Sequence, residues 1–330
     1  MARSEKQKLK LLYILKILSE EADEQNPVST KELIEKLAGY EISVERKTIY
    51  SDMECLKDFG YDIGFDGNRS KGGYYLASRD FELAELKMLV DMVQSSRFLS
   101  AKRSRELIKK IEKLAGKHEA SELQRSVYVT NRVKTPNEKV FYSVDCIHRA
   151  IAKKKSITFH YQEYTVEHQW QLKSGGKLYQ VSPYYLTWNN ENYYMIAFDE
   201  QRRGIRNYRV DRMKDLELTD RNRQGNEAFS DFDIVSYANK AFNMFDGEEK
   251  RLKLVFSNTL ANVVVDRFGK DVMIRKEDEE HFSATVTVAV SKQFYGWLTG
   301  IGDGARIAAP ADEVKKYREY LQEIIDSYRT

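Results

Sequence analysis

The sequence has little of several features that define whole classes of protein. Among its 330 residues only two are Cys and four are Pro, and the formal net charge is +3. Two cysteines as far apart as Cys55 and Cys146 exclude a disulfide-rich scaffold and a local metal knuckle, so we expect both thiols to be reduced and buried. With 42% hydrophobic and 32% charged residues, the composition also excludes collagen-like and disordered chains.

Long hydrophobic runs are missing as well. The most apolar N-terminal stretch, KLKLLYILKIL, has a Lys every few positions and falls short of the roughly 18 uninterrupted apolar residues of a membrane span. No small-residue cleavage site of a signal peptide follows it. The sequence therefore predicts a cytoplasmic protein that does not contact membranes, and its length predicts two or three domains.

Catalytic motifs are also absent. The five histidines show no zinc-ligand spacing, and neither GxSxG nor HExxH occurs. The glycines of GIGDG, at 300–304, follow a helical pattern and not a strand, which is typical of a turn and not of a phosphate loop. We therefore predict a protein that is not an enzyme and has no metal or other cofactor.

The first 78 residues have the pattern of a winged helix-turn-helix. Apolar residues at helical spacing mark a first helix at 8–18, and the capping-box pair Ser29 and Glu32 starts a second. A third helix is predicted at 44–59, with Ser43 as its N-cap. Two short strands, YDIGF and YYLAS, follow around a Gly-rich turn. Three helices and a hairpin predict a DNA-binding domain at 1–78.

The third helix packs through one face only, which leaves the other face for a partner. In this kind of domain the third helix enters the major groove while the wing contacts the backbone or the minor groove. The residues predicted to contact DNA are Arg46, Lys47, Thr48, Tyr50 and Ser51 on the helix and Arg69 and Lys71 in the wing. The alternatives are a winged helix that contacts only protein, and a Tyr50 that belongs partly to the core.

Residues 79–139 are predicted to form a helical linker or dimerisation region. They contain 14 basic and 9 acidic residues, and helical spacing of apolar residues extends from 80 to 116. The excess lies mainly in Lys102, Arg103, Arg105, Lys109, Lys110, Lys113 and Lys117. This pattern favours the solvated face of a connecting or dimerising helix, with phosphate contact as the alternative.

The rest of the chain predicts two further domains. One helix followed by many short strands predicts a small β-barrel at 140–220. Strands that alternate with helices from about Arg251 predict a ferredoxin-like α+β domain within 221–330. The fold class predicted for the whole chain is thus α+β multidomain.

Three regions of the sequence resemble the corresponding regions of WYL-domain transcriptional regulators. ISVERKTIYSDMECLKDFGYDI with GGYYL resembles their winged-helix end, and VSPYYL, NYYMIAFD and RNYRVDRM resemble the strands of the WYL domain. The name-giving tripeptide falls on Tyr193, Tyr194 and Met195, so only Tyr194 matches outright. The stretch from RLKLVF through ARIAAP to the last helix is similar to the extension that follows WYL domains. The resemblance implies an Sm-like or SH3-like barrel that senses a nucleic-acid fragment or a nucleotide.

The residues of the barrel partly support such a ligand. Arg with aromatic side chains is the combination that clamps phosphate and stacks bases. The candidate ligand-binding residues are Tyr194, Arg206, Arg209 and Arg212, with Ser182 and His160 as weaker polar candidates. On one continuous strand Arg206 and Arg212 share a face and Arg209 points to the other, about 20 Å separating the first two. The alternative is that Arg212 pairs with a carboxylate and the tyrosines form the barrel core.

Together these features predict a sequence-specific DNA-binding transcriptional regulator. We expect a repressor that acts as a homodimer on operator DNA, because two winged helices double both the phosphates neutralised and the bases contacted. A ligand on the barrel would change the spacing of the two winged helices. The resemblance alone suggests antiphage defence genes as targets. The alternative function is an accessory protein that modulates a nuclease or defence effector.

Overall fold

The computed structural model describes residues 6–67, 72–123, 134–135, 137–242, 244–245 and 247–329. They form two compact units, Met1–Glu138 and Lys139–Thr330. Among the helices in these ranges, none combines the length and the hydropathy that crossing a bilayer requires. The structure is thus mixed α and β, with several sheets.

Three helices and a hairpin begin the first unit. They are α1 Lys10–Glu21, α2 Thr30–Gly39, α3 Arg46–Asp58, β1 Ile63–Asp66 and β2 Gly73–Leu76. The two strands pair antiparallel, and Val28 forms a bridge to Tyr74 that adds a third short segment to the hairpin. Fully buried side chains from each helix, including Ile14, Leu33 and Ile49, form one core beneath the hairpin. This core fixes which face of α3 remains outside.

The predicted start of α3 is wrong by two residues. Ser43 is not its N-cap, because the helix begins at Arg46 after Glu45, whose side chain makes no capping bond. Ile42 is buried, and its backbone N–H donates to the carbonyl of Leu37. The chain is therefore still leaving α2 at Ile42 and is extended through Glu45 before α3 begins. The capping box of Ser29 and Glu32 is confirmed at the start of α2.

An ion pair in a nearly dry setting connects α1 to α3. Lys10 Nζ lies 2.8 Å from Asp52 Oδ1, and the two side chains are only 13% and 11% exposed. Asp52 therefore lies on the packed side of α3. A buried carboxylate is stable in its charged form only while a cation stays beside it. The pair therefore adds a polar contact between α1 and α3 to the apolar core that they share.

Gly73 is required by the close approach of the hairpin to residues 27 and 28. A Cβ on Gly73 would lie 2.9 Å from backbone atoms of Pro27 and Val28, a distance that real Cβ atoms do not show. We expect Gly73→Ala to lower the free energy of unfolding of the first unit by about 1–3 kcal/mol, because backbone must move to admit the methyl group.

The measurement for this variant is denaturant unfolding followed by far-ultraviolet circular dichroism, since all three Trp residues lie after residue 139. Gly39→Ala is the matched control, because nothing lies within 4 Å of its added Cβ and Ala favours the helix. An equal or smaller loss in Gly73→Ala than in Gly39→Ala would contradict the packing described.

Three more helices complete the described part of the first unit: α4 Leu83–Ser95, α5 Ala101–Glu112 and α6 Lys117–Leu123. Leu86 and Val90 of α4 pack with Ile111 of α5 in a second core. Arg79 ties this group to α1, because its guanidinium donates to the carbonyls of Ser19 at 2.7 Å and Ala22 at 3.0 Å. Helix α6 ends at residue 123, and residues 124–133 and 136 lie outside the described ranges.

The second unit begins with one helix and a six-stranded antiparallel sheet. These elements are α7 Val140–Lys153, β3 Lys155–Tyr164, β4 Trp170–Leu172, β5 Leu178–Asn189, β6 Asn192–Asp199, β7 Gly204–Arg209 and β8 Met213–Asn222. The strand order is β4-β3-β5-β6-β7, and β8 pairs with β3. Because β7 leads through a short turn into β8, which returns to β3, the sheet curls around a core that contains the fully buried Phe159, Val181 and Met195.

A four-stranded sheet with helices on one side ends the chain. Its elements are α8 Ile234–Lys240, which precedes the sheet, then β9 Glu248–Ser257, α9 Ala261–Phe268, β10 Met273–Lys276, β11 His281–Val290, α10 Lys292–Ile301, β12 Ala305–Ala309 and α11 Ala311–Asp326. The strand order is β10-β11-β9-β12, all antiparallel. Alternate residues Leu252, Leu254 and Phe256 face the core, where they meet Phe294 and Leu298 of α10.

Candidate DNA-binding and ligand-binding sites

The outer face of α3 carries the side chains predicted to contact DNA. Ile49, Met53 and Leu56 are buried beneath the helix. Arg46, Lys47, Thr48, Tyr50 and Ser51 are all exposed on it. Tyr50 is 39% exposed, so the alternative in which it belongs to the core does not apply. Two cations, two hydroxyls and a phenol thus lie together within the first two turns of α3.

Arg46 and Tyr50 are arranged as a pair one helical turn apart. Arg46 Nε donates to the Tyr50 hydroxyl at 2.6 Å, and the guanidinium lies 5.7 Å from the centre of the ring. A groove of about 810 Å³ next to them is lined by Ser29, Thr30 and Lys31 from the start of α2. Sequence reasoning missed Thr30 and Lys31, although the capping box that starts α2 was visible and could have indicated them.

Arg69 and Lys71, the wing residues predicted to contact DNA, lie outside the described residues. Cys55 on α3 is exposed and Cys146 on α7 is buried, and both are free thiols. The expectation that both are buried is therefore wrong for Cys55. Position 55 lies on the side of α3 that faces away from Met53 and Leu56.

Tyr194 and Arg209 occupy opposite positions on β6 and β7. The Arg209 guanidinium is held by Asp211 at 2.8 Å and by Asn192 at 2.9 Å, and its backbone N–H donates to the Tyr161 hydroxyl. Burial raises the pKa of Tyr194, and the nearby Arg209 opposes that rise. The structure thus brings Tyr194 and Arg209 together, with the guanidinium already engaged by a carboxylate.

The expected continuous strand through the three arginines is wrong. Strand β7 ends at Arg209, Val210–Arg212 form a single 3-10 turn, and β8 begins at Met213. The cause is Val210, which is fully buried and turns the chain into the core. Arg206 and Arg212 therefore do not share the face of one strand, and the separation expected from strand spacing does not apply to them.

Ser182 and His160, the weaker candidates, both have partners within the sheet. The fully buried Ser182 hydroxyl donates to Glu200 Oε1 at 3.0 Å and accepts from the backbone N–H of Gln224 at 2.9 Å. His160 Nδ1 lies 3.2 Å from the carbonyl oxygen of Lys177. These contacts tie β5 and β3 to neighbouring segments.

Arg206 lies at the mouth of a cavity of about 470 Å³ between β7 and the C-terminal sheet. Tyr237 and Lys240 of α8 and Phe245 line the cavity with it. Lys240 Nζ lies 2.8 Å from Glu249, and Phe245 is 53% exposed. Residues from two sheets and the segment between them meet here, so sequence spacing could not indicate the cavity. Its size is in the range of small-molecule sites.

No group of three His, Cys, Asp or Glu side chains within the described ranges is placed to hold a metal ion. Asp278, between β10 and β11, forms a surface pair with His281, its Oδ1 lying 3.0 Å from His281 Nδ1. The arrangement of side chains thus offers cations, hydroxyls and aromatic rings for binding.

Comparison with protein families decides what the curled sheet and the C-terminal sheet are. The WYL domain matches residues 143–218 and the WCX domain matches residues 248–325. The chain contains a WYL domain followed by a WCX domain. The resemblance predicted from the sequence is confirmed, and the matched ranges fall inside the predicted domains 140–220 and 221–330. No curated protein matches the chain.

Two solved structures are similar to this WYL-domain protein at low identity. Proteasome accessory factor B/C (PafBC) of Arthrobacter aurescens is 17% identical with a TM-score of 0.28, over 97% of this chain and 49% of that chain. This chain therefore spans about half the length of the PafBC chain. The crystal structure of a CRISPR Cas-related protein is 10% identical with a TM-score of 0.36, over 75% of this chain and 71% of that chain. At these TM-scores the two similarities add nothing to the domain matches.

The name-giving tripeptide of the WYL domain is mostly interior. Met195 is fully buried and Tyr194 is 9% exposed, while Tyr193 packs edge-on against Trp188. Position 195 therefore supplies aliphatic volume to the core of the WYL domain. The replacement of Leu by Met at this position preserves that volume, because Met fills irregular space.

A buried carboxyl near the end of β6, that of Asp199, has a lowered pKa. Burial alone would raise the pKa of Asp199, but backbone N–H groups of Arg202 and Gln201 and the Tyr208 hydroxyl, 2.8 Å away, together hold it below its usual value. A carboxyl whose pKa is lowered by folding stabilises the fold above its unfolded pKa of about 3.9. That stabilisation is lost as the pH falls through the lowered value.

We therefore expect Tyr208→Phe to lower the free energy of unfolding of the second unit by about 1.5–3 kcal/mol at pH 7. The loss should shrink as the pH falls below the unfolded pKa of about 3.9 and through the lowered pKa of Asp199 in the folded protein. Trp fluorescence during urea unfolding measures it. Tyr164→Phe is the control, since Tyr164 is 54% exposed. A penalty that stays constant from pH 7 to pH 3 would contradict the charged hydrogen bond.

Proposed function

We propose that this WYL-domain protein is a sequence-specific DNA-binding transcriptional regulator, that it acts as a repressor and that it binds its operator as a homodimer. The observation that carries the proposal is the exposed face of α3, where Arg46, Lys47, Thr48, Tyr50 and Ser51 lie opposite a fully packed face. Arg and Lys are the side chains that most often bind guanine in the major groove, and hydroxyls bind phosphate or base edges.

The order of helices and strands supports a fold assignment for each of three domains. Helices α1 to α3 with the β1–β2 hairpin have the order of a winged helix-turn-helix, with α3 as the recognition helix. The curled sheet of the WYL domain corresponds to a small Sm-like barrel. The strand-helix-strand-strand-helix-strand order of the WCX domain corresponds to a ferredoxin-like fold. In this assignment only the first domain presents a helix to a DNA groove.

Genome-wide recovery of bound DNA fragments tests the proposal. The full chain is incubated with sheared genomic DNA, retained fragments are sequenced, and an R46Q/K47Q variant is run beside it. We expect a recurrent short sequence with two half-sites about one or two helical turns apart, and its loss in the variant. Retained fragments without any shared sequence would contradict a regulator. Stable co-purification with a nuclease and no retained DNA would favour the accessory function.

We also propose that the effector is a nucleic-acid fragment or a nucleotide held in the cavity beside Arg206. Arg206 supplies positive charge for a phosphate, and Phe245 and Tyr237 supply rings on which a base can stack. The WYL and WCX domains both line the cavity. A ligand in it would therefore bind most tightly to one relative position of these two domains. Binding energy that differs between arrangements is what shifts operator affinity.

Arg206→Ala should weaken the binding of this effector about tenfold, because it removes a charge-assisted phosphate contact worth about 1.5–3 kcal/mol. Isothermal titration calorimetry with nucleoside monophosphates and with a short single-stranded oligonucleotide measures it. The control is Arg306→Ala, which removes an exposed cation of β12 outside the cavity. Equal affinities for Arg206→Ala and Arg306→Ala would place the ligand elsewhere. Unchanged operator binding in both variants is expected.

A further inference from the structure

Helix α5 carries a row of positive charges that is separate from the exposed face of α3. We call Lys102, Arg105, Lys109 and Lys113 the cationic row; the first three lie in α5 and Lys113 is its C-cap. All four are exposed. At 100° per residue they fall within about 80° of arc, and at a rise of 1.5 Å per residue the row is about 16 Å long. It is therefore a continuous positive strip on one side of the helix.

The four side chains of the row form no ion pair with any other residue that the structure describes. Two acids flank the row on α5: Glu106, which is bound by Arg103 at 3.0 Å, and Glu112 near its C-terminal end. Other exposed helices of this chain neutralise their cations internally at the i,i+4 spacing, as with Lys31 and Glu35 in α2 and Lys315 and Glu319 in α11. The cations of the row form no such ion pair along α5.

Most of the row's like-charge spacing does not stabilise the helix that carries it. Arg105 and Lys109, and then Lys109 and Lys113, are like charges four residues apart, and each such pair destabilises a helix by a few tenths of a kcal/mol. Lys102 lies in the first turn, where α5 has no acidic residue and where positive charge opposes the helix dipole. Lys109 and Lys113 lie at the C-terminal end of α5, where positive charge favours the helix dipole. Helix stability therefore gives a reason for these two residues but none for Lys102 and Arg105, whereas binding an anionic partner accounts for all four.

The row is held in a fixed position within the unit that contains α3. The opposite side of α5 is packed, with Ile111 and Ser104 buried against α4. Directly after α5, the Glu119 carboxylate of α6 lies 3.7 Å from the Arg79 guanidinium, which is bound to the end of α1. A helix packed in this way presents its charges as a preformed strip.

We propose that the cationic row binds the phosphate backbone of duplex DNA, in addition to the contacts of α3. The inference rests on the DNA-binding function proposed above and extends its contact surface. A duplex carries one negative charge per about 1.7 Å of its axis, so a strip of this length faces several phosphates. Contacts of this kind carry no sequence information, and each displaces condensed counterions. The row therefore contributes affinity and salt dependence.

The test uses the full chain and a mixed-sequence duplex of 40 base pairs, with fluorescence anisotropy between 50 and 300 mM salt. The row variant is K102Q/R105Q/K109Q/K113Q, in which Gln preserves helix propensity. The control variant, K153Q/K270Q/K315Q/R318Q, removes the same charge from exposed positions of the second unit. We expect the row variant to bind at least tenfold more weakly at 100 mM salt. Its slope of log affinity against log salt should be smaller by about 2–4.

The control variant should change affinity by less than threefold. The row variant should melt close to the wild type, since like-charge repulsion and the favourable charges at the C-terminal end of α5 are removed together. An R46Q/K47Q variant is measured beside them. If R46Q/K47Q loses affinity for the duplex while the row and control variants bind alike, the DNA-binding function is supported and the row proposal is overturned. The same result is expected if the partner of the row is an acidic protein. If no variant changes affinity, the proposed function itself fails. A loss of affinity with an unchanged salt slope also overturns the row proposal.

Discussion

Replacing Arg46 and Lys47 together with Gln is expected to weaken binding to operator fragments about 100-fold. Each side chain can bind a base edge or a phosphate from the first turn of α3, and a good contact of this kind is worth about 1–3 kcal/mol. Two contacts at the lower part of that range give the stated factor. The slope of log affinity against log salt should fall by up to about 2. Anisotropy with fragments recovered by the genomic selection measures both.

The fold should not change in this variant, because both side chains are exposed and neither lies in the core beneath α3. Lys8→Gln with Lys57→Gln is the matched control, since it removes two exposed charges from the same unit. Equal affinities for the two double variants would mean that general charge, and not the position on α3, determines binding. That result would contradict α3 as the recognition helix.

Lys10→Met is expected to lower the free energy of unfolding of the first unit by about 3–5 kcal/mol. The substitution leaves Asp52 charged in a nearly dry site, and Asp52 Oδ2 already has no hydrogen-bond partner. Removing one member of a buried ion pair is far more costly than removing both. Lys10→Met with Asp52→Leu should therefore recover most or all of the loss.

Far-ultraviolet circular dichroism during urea unfolding measures this cycle. Lys57→Met is the control, because its pair with Glu54 is largely exposed and such pairs contribute at most about 1 kcal/mol. A double variant as unstable as Lys10→Met alone would show that the loss comes from packing of the Lys side chain. Because the pair connects α1 to α3, we also expect Lys10→Met to weaken DNA binding at temperatures where the unit stays folded.

Local patterns predicted the helices of the first unit well, because they depend on neighbours in the sequence. The capping box at Ser29 and the buried side of α3 at Ile49 and Met53 follow from spacing alone, and the structure confirms both. The start of α3 could not be predicted from spacing. It depends on Ile42, whose side chain is buried in the core. The chain therefore does not become helical until Arg46.

Contacts between distant residues could not be predicted, and they determine most of the WYL domain and its cavity. Val210 is buried at the point where β7 ends, so Arg206, Arg209 and Arg212 do not lie on one strand. The cavity beside Arg206 has walls from α8 and from β9, more than 30 residues further along the chain. Asp199 was not a candidate at all, because its importance depends on the Tyr208 hydroxyl that a neighbouring strand places beside it.

Hydroxyl-radical footprinting of the full chain, with and without a recovered operator duplex, tests the central claim most directly. Tyr50 is exposed in the free protein and is a reactive side chain on the outer face of α3. The account predicts that bound duplex protects Tyr50 strongly while the exposed Tyr328 near the C-terminus is labelled as before. Full labelling of Tyr50 in a saturated complex, with protection confined to the second unit, would contradict it.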